Sequence, residues 1–487
     1  MAGLLFETRS PLAPPAPNRA DVACFIGLVP LRGDPVDPFQ PLESWEAFDQ
    51  RYAWDRRPIV ARGTVRESSP GQPRFCATYL GASVRAFFAQ GGRRCFVVRA
   101  GDPLPVQTLA PAPGALTPTA QSLLEKLLPG YPGSLSPTPL DPNSWEGIGA
   151  LFALPEVSYV AFPDLADVFA VERSPIPPPA QVNLPEIFVE CSSTPAAVLP
   201  DRESPLLRAP RCDQASSALW GQVVEAIATF LRRWRREVQL VAALPLPSAG
   251  TEVSAALPRT LNSGFVQMVF PWVRTPLSDQ LPGGLEPPEG VLVGLLARNA
   301  LTRGSFQSAA GLAVADVQAV EPQLSRQQRL APLPQDAEAP SLSFADRVSV
   351  IGPTPRRLCL LSDVTTSLDP SYRFASVHRL VTALVRAARS LGELHSFEAS
   401  GEALWRQLRD NLETLLEQLW QRGALSGASA EEAFSVRCDR STISQADLDS
   451  GRVVAEVVFV AALPIQTIRV VLAMEEGGQV SLMSLPP

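Results

Sequence analysis

Histidine and lysine are almost missing from this chain. Its 487 residues include two histidines, His378 and His395, and Lys126 is the single lysine among 42 basic residues. The histidines are well separated and neither has a cysteine neighbour, so a His/Cys metal centre has no ligand set. Seven cysteines (Cys24, Cys76, Cys95, Cys191, Cys212, Cys359, Cys438) are scattered, odd in number and free of any C-x-x-C pair. They read as free, mostly buried thiols of a reducing compartment, not as a disulfide framework. No G-x-S-x-G elbow presents a nucleophile, and Ser263 and Ser305 stand without a local triad partner. No apolar run reaches the ~18 residues of a membrane span. The stretch MAGLLFETRSPLAPPAP lacks the basic-then-apolar layout of a secretory signal. A net charge of −7 speaks against general nucleic-acid binding, which wants a basic face.

What remains is the composition of a folded protein, 46% hydrophobic and 19% charged. The length suggests two to four domains. Proline is the excess: 50 residues, against an ordinary share of about 5%. It predicts many loops, strand ends and extended connectors.

Residues 1–20 read as an extended, Pro-rich arm. VACFIGLVP (Val22–Pro30) is a continuous apolar run, a buried strand. SWEAFDQRY opens on a Ser N-cap and is a short helix. In YLGASVRAFFAQGG, Leu80, Val84, Phe87 and Phe88 share a helical face, and Gly91-Gly92 is a stop. CFVVRA comes next as a strand. The segment FFAQGGRRCFVVR is therefore helix, glycine stop, strand. A phosphate cradle needs the opposite order, strand, glycine loop, helix N-terminus, so this segment is scaffold and Cys95 faces a core.

Further along, residues 103–145 and 171–218 are Pro/Ser-rich and read as insertions, the first carrying the amphipathic piece SLLEKLL. ALPEVSYVAFPDL (Ala153–Leu165) reads as a strand, Trp220–Glu237 as an amphipathic helix, VQLVAALPLP and GFVQMVFPWV (Gly264–Val273) as strands. GVLVGLLARN fits strand or helix, residues 315–345 a linker, and RRLCLLSD a buried strand. Phe374–Leu391 and Glu402–Leu425 are amphipathic helices, and Val453–Leu463 and Ile465–Met474 are strands. The recurring helix–strand alternation predicts a mixed α/β chain with a partly parallel sheet.

Three charged features invite a chemical reading. DLDSG (Asp447–Gly451) places two carboxylates two apart but lacks the later bidentate Glu of a calcium loop, so a polar turn is favoured. Asp164 and Asp167 read as helix N-terminal carboxylates that complement a dipole. Arg379, Arg386 and Arg389 fall on one side of the Phe374–Leu391 helix, opposite its apolar face. They form either a solvated helix face or a docking surface for an acidic partner.

An ordered set of segments resembles the tail-sheath proteins of contractile phage tails, contractile bacteriocins and extracellular contractile injection systems. RADVACFIGLV with YLGASVRAFFAQGGRRCFVVR is similar to that family's N-terminal block. LPEVSYVAFPDL, SGFVQMVFPWV and PPEGVLVGLLARNALTRGSFQSAAG resemble its central strands. LWQRGALSGASAEEAFSVRCD and QADLDSGRVVAEVVFVAALPIQTIRVVL resemble its C-terminal domain. Roughly 300 of the 487 residues take part. There are departures too. A PGVYVEE-like opening is missing, Asn299 stands where the family often has Asp, and the two insertions have no counterpart.

The resemblance implies a multi-domain structural subunit, not an enzyme, and no cofactor. The arm is 1–20, outer sheath domains span 21–344, a tube-proximal domain spans 345–463, and 464–487 is a donor-strand arm. Its expected partners are itself, as stacked hexameric rings, an inner tube protein, and the baseplate and cap proteins of one particle, with no nucleic acid and no membrane insertion. Assembly is expected in a bacterial cytoplasm, for use there or after release. A baseplate-proximal sheath paralogue is the alternative, and an α/β enzyme or ligand-binding protein the reading of a different class. Within the terminal arm, Ile465, Thr467, Ile468, Val470, Val471 and Leu472 are the expected inter-subunit strand. Arg379, Arg386 and Arg389 become the expected tube-facing stripe.

Overall fold

The computed structural model describes residues 19–33, 37, 39–52, 54, 59–61, 64–66, 76, 78–104, 116–171, 208–257, 261–333, 342–395, 401–462, 468–474 and 480–484. The expected N-terminal arm lies outside them except for its last two residues.

A seven-stranded sheet organises the first unit. Its strands are β1 (Ala23–Leu28), β2 (Cys95–Gly101), β3 (Tyr159–Ala161), β4 (Gln239–Ala243), β5 (Val266–Phe270), β6 (Ser349–Pro353) and β7 (Leu358–Leu360). Their spatial order is β7-β6-β5-β4-β3-β1-β2. All neighbours run parallel except the β6–β7 hairpin. Every residue of β1, β3, β4 and β5 is buried, as a parallel sheet covered on both faces requires. That is why these strands read in sequence as apolar runs, interrupted only by the buried Gln239 and Gln267.

The helices start where the sequence supplies caps. Ser44, Thr78, Thr117 and Asp213 each accept a backbone N–H at the start of α1 (Trp45–Arg51), α2 (Tyr79–Ala89), α3 (Pro118–Leu127) and α4 (Gln214–Trp234). Such a cap contributes ~1 kcal/mol. Gly91 takes φ +103 just past α2, the stop expected there. The apolar run that fitted strand or helix is helical, as α5 (Glu289–Thr302). It packs closely on α2: a Cβ on Gly290 would lie 2.1 Å from the Ser83 carbonyl oxygen, and one on Gly294 2.5 Å from that of Phe87.

The second unit holds α6 (Ala375–Leu394), α7 (Glu402–Gln421) and an antiparallel sheet of β8 (Phe434–Arg437), β9 (Val453–Phe459), β10 (Ile468–Met474) and β11 (Val480–Ser484), in that order. Val377, Leu380, Val381, Leu384, Leu404, Trp405, Leu408, Leu412 and Leu416 form its core with the inward side of β9.

Several expectations are corrected here. The outer unit does not end at 344: β6 and β7 belong to the large sheet, and the second core begins at Tyr372. Residues 315–345 are more than a linker, because Ala319–Glu321 pairs with Trp272–Arg274 and Ser325 caps a short helix. GFVQMVFPWV is two strands, split at Pro271, which has no N–H for a ladder. In Ala153–Leu165 only Tyr159–Ala161 is strand. The insertion at 103–145 is partly core, since Leu123, Leu124 and Leu127 of α3 are buried. Helix α4 starts six residues before Trp220, inside the supposed second insertion; its first turns carry small and polar residues and so show no stripe.

Candidate functional site

The C-terminal sheet holds the described part of the expected donor strand. Two of its strands, β10 and β11, come from the last residues of the sequence. Strand β10 pairs along its full length with β9, Phe459 opposite Ile468, Val457 opposite Val470, Glu456 opposite Val471 and Ala455 opposite Leu472. On its other side it pairs with β11. Of the six residues expected in a donor strand, Ile468, Val470, Val471 and Leu472 thus lie in a strand bonded within its own chain. Ile465 and Thr467 lie outside the described residues. The sequence reading missed β11, whose Ser-Leu-Met-Ser run is short and weakly apolar.

The outer edge of β8 has no strand beside it among the described residues. This edge is short, four residues, with Ser435 and Arg437 exposed and Val436 buried. A short edge carrying a charge is protected from indiscriminate pairing yet still offers backbone donors and acceptors.

The three arginines of α6 do not form a solvated stripe. Arg379 and Arg386 are 4% and 6% exposed. All three reach across to the first unit, at the edge where β1, β3 and β4 begin. The Arg379 guanidinium donates to both carboxylate oxygens of Asp363, at 3.2 and 2.6 Å, and to the carbonyl of Ser305 at 2.8 Å. Arg386 donates to the carbonyls of Arg19 and Val157. Arg389 pairs with Glu237 at 2.9 Å, and Arg235 holds the same carboxylate at 2.8 Å. The tube-facing expectation fails for a physical reason. Helix α6 is sandwiched, its apolar side against the second core and its basic side against the ends of the parallel strands. Periodicity locates a polar face but cannot tell water from a partner carboxylate.

The charges in this seam are set by their surroundings. Burial works against ionised Glu237, but Arg235 and Arg389 outweigh it and hold the carboxyl down at about 2. Burial likewise opposes the Asp363 charge, and Arg379, with hydrogen bonds from Ala309 and Gln267, keeps it below the ordinary carboxylate range. Burial pulls Arg386 down to about 10. His378, buried against Phe265 with ring centroids 5.0 Å apart, is pushed to about 3 by burial and by Arg379. It stays neutral and inside the seam, and the other histidine, His395, lies at the C-cap of α6.

Other candidates resolve quietly. Six cysteines are free and buried; Cys191 lies outside the described residues. No group of three or more metal-ligating side chains is found among the described residues. Ser444 caps a short helix, Gln445–Asp449, with Asp447 as the reciprocal partner in its capping box and paired with Arg452 at 2.5 Å, so DLDSG, expected as a polar turn, is the end of that helix and the turn after it. No helix among the described residues is long and apolar enough to cross a membrane.

Comparison with solved structures places this architecture. The chain matches a chain of the anti-feeding prophage helical sheath in its contracted state, with a TM-score of 0.54, 18% identity and 95% and 96% of the two chains covered. The chain has a contractile-sheath fold. It matches equally a chain of the contracted anti-feeding prophage baseplate, with a TM-score of 0.58, 18% identity and 95% of each chain covered. A third match is to the contracted sheath complex of an extracellular contractile injection system, PVC, with a TM-score of 0.53, 16% identity and 95% and 94% coverage. No protein-family model and no curated protein matches the chain. The sheath fold is thus seen across nearly the full length, at an identity where few single positions speak.

Proposed function

We propose that this chain is a structural subunit of a contractile sheath, polymerising as helically stacked hexameric rings around an inner tube and contracting to drive that tube through a target envelope. The single observation that carries the reading is the likeness over 95% of this chain to a protein of a helical sheath. The terminal sheet supports it. Strands β10 and β11 come after an eight-position interval beyond Phe459 and supply half of a four-stranded sheet. The same hydrogen bonds can form with a neighbouring chain's β9, which is strand addition. A contact of this kind relates unlike surfaces and builds an open helix or a ring according to its rotation. The chain's partners are then further copies of itself, the inner tube protein, and the baseplate and cap proteins. Contraction is a rearrangement of subunits linked by such arms, so the role is structural rather than enzymatic. Assembly takes place in a bacterial cytoplasm, and the particle acts there or after release.

Because one of the similar chains comes from a baseplate, a sheath paralogue confined to a baseplate-proximal ring is the second reading. Negative-stain electron microscopy of the full chain expressed alone separates the two. Hollow striated tubes establish the main-sheath role, single rings the paralogue, and dispersed monomers at high concentration count against both.

A further inference from the structure

The large sheet has the order of a doubly wound ligand-binding fold. From β1 the chain goes to β2 on one side and then to β3 on the other, and continues outward to β4, β5 and β6. In open α/β sheets the ligand crevice lies outside the carboxyl ends of the strands where the order reverses, here between β1 and β3. The N-terminus of α2, the helix that leads into β2, is the element that would meet an anion there.

That position is filled by the chain itself. Asp164, three residues beyond the end of β3, turns its carboxylate onto three backbone N–H groups. Oδ1 accepts from Tyr79 at 3.0 Å and Leu80 at 3.3 Å, the first two residues of α2. Oδ2 accepts from Leu28, the last residue of β1, at 2.9 Å. Asp164 is 4% exposed. Gly27 makes room for it: a Cβ there would lie 2.5 Å from Oδ2. At the next strand end Glu289, the first residue of α5, accepts from Ala243 N–H at 2.9 Å and is also buried. Two carboxyl groups thus close the carboxyl ends of β1, β3 and β4.

We infer that the ligand crevice of this sheet is permanently occupied by Asp164, which stands in for a phosphate- or carboxylate-class ligand, so that the first unit takes no nucleotide or other anionic ligand. The carboxylate does for the strand end and the helix N-terminus what a bound anion does elsewhere: it satisfies the orphan amides and meets the positive end of the dipole. An external phosphate would have to displace a buried, covalently tethered competitor. The Asp164 and Asp167 pair seen in sequence is thereby split in role: Asp164 serves the remote α2, not the short helix that it precedes.

The test is thermal unfolding of the full chain and of two variants, Asp164→Ala and Asp164→Asn, in sodium phosphate, sodium formate and sodium chloride of equal ionic strength. The wild type should gain in phosphate over chloride only the non-saturating increment of an excluded salt, with no saturable rise. Asp164→Ala should melt at least ~5 °C lower and recover in formate, the anion that fits the vacated carboxylate position, but not in chloride. Asp164→Asn keeps the shape, loses the charge and should melt lower too. A wild-type melt raised saturably by phosphate would show the crevice open and overturn the inference. So would an Asn variant as stable as wild type, or an Ala variant that formate leaves unchanged. Should the Ala variant be insoluble, the wild-type phosphate response and the Asn variant decide.

Discussion

Arg379 and Asp363 form a paired guanidinium–carboxylate contact, 2.6 Å at its shorter bond, with side chains only 4% and 1% exposed. The pair joins the helix that opens the second unit to the strand end that closes the first. Neither partner has water to fall back on. Removing Arg379 leaves Asp363 charged and buried, and breaking a buried pair from one side typically costs about 3–5 kcal/mol. Arg379→Ala should lower the denaturation midpoint strongly and expose the 361–372 connection to protease. A variant that unfolds like wild type in urea would mean that the seam adds nothing to stability. Reversing the charges of Arg379, Arg386 and Arg389 together is for the same reason a folding mutation, and loss of assembly in such a variant would say nothing about a tube.

Glu289 should give stability an alkaline slope. Burial lifts its carboxyl from the ordinary 4.5 to about 8, and the nearby Asp164 charge adds to the lift. Between those values the folded chain binds the proton and the unfolded chain does not. Stability from this group is therefore complete below about 4.5 and lost as pH rises toward 8. Glu289→Gln keeps an acceptor for Ala243 and removes the titration. The melting temperature of this variant should exceed that of wild type at about pH 8 and not at about pH 5. Parallel pH profiles for the two proteins would contradict the assignment.

Close contact between α2 and α5 depends on Gly290 and Gly294, whose added Cβ atoms would enter the space of backbone oxygens. Backbone cannot step aside as a flexible side chain can. Gly290→Ala and Gly294→Ala should each destabilise by about 1–3 kcal/mol, the range of overpacked interiors. Calorimetry of the two single variants measures it directly.

Strand β10 is bonded to β9 along its whole length and to β11 from Val471 to Met474, so a proline at Leu472 deletes a ladder bond whichever neighbour its N–H faces. Leu472→Pro should leave the melt of the first unit unchanged, because the ladder partners of β10 are β9 and β11 of the second unit. It should abolish polymer seen by electron microscopy and sedimentation. Normal tubes from this variant would remove β10 from the assembly contact.

The sequence made the interior legible and the seams illegible. Val22–Val29, Leu240–Leu244 and Val266–Phe270 announce themselves as strands because both faces are buried, and α2, α4, α6 and α7 through an apolar stripe ending at glycine or a polar residue. Arg379 and Asp164 could not be read the same way. Their partners lie 16 to 136 positions distant, and a charge looks identical in sequence whether it meets water or a guanidinium. Gly27 before Leu28, with Pro163 before Asp164, was the one local trace of the closed crevice, and neither dipeptide is distinctive by itself. The 345 boundary failed because the hairpin of β6 and β7 has no composition that separates it from the residues after it.

Arg386 holds the carbonyl of Arg19 across 367 positions of chain. This contact cannot exist on a ribosome until synthesis has passed through α6. The residues between them can complete the large sheet meanwhile, since that sheet ends at Leu360. Vectorial synthesis therefore orders the events: the large body first, then the helix that clamps its strand ends, and only afterwards the strands β9 to β11. A nascent chain has no such sheet to share with its neighbours on the same message until β11 has been made, and whatever polymerisation that sheet directs waits for that point.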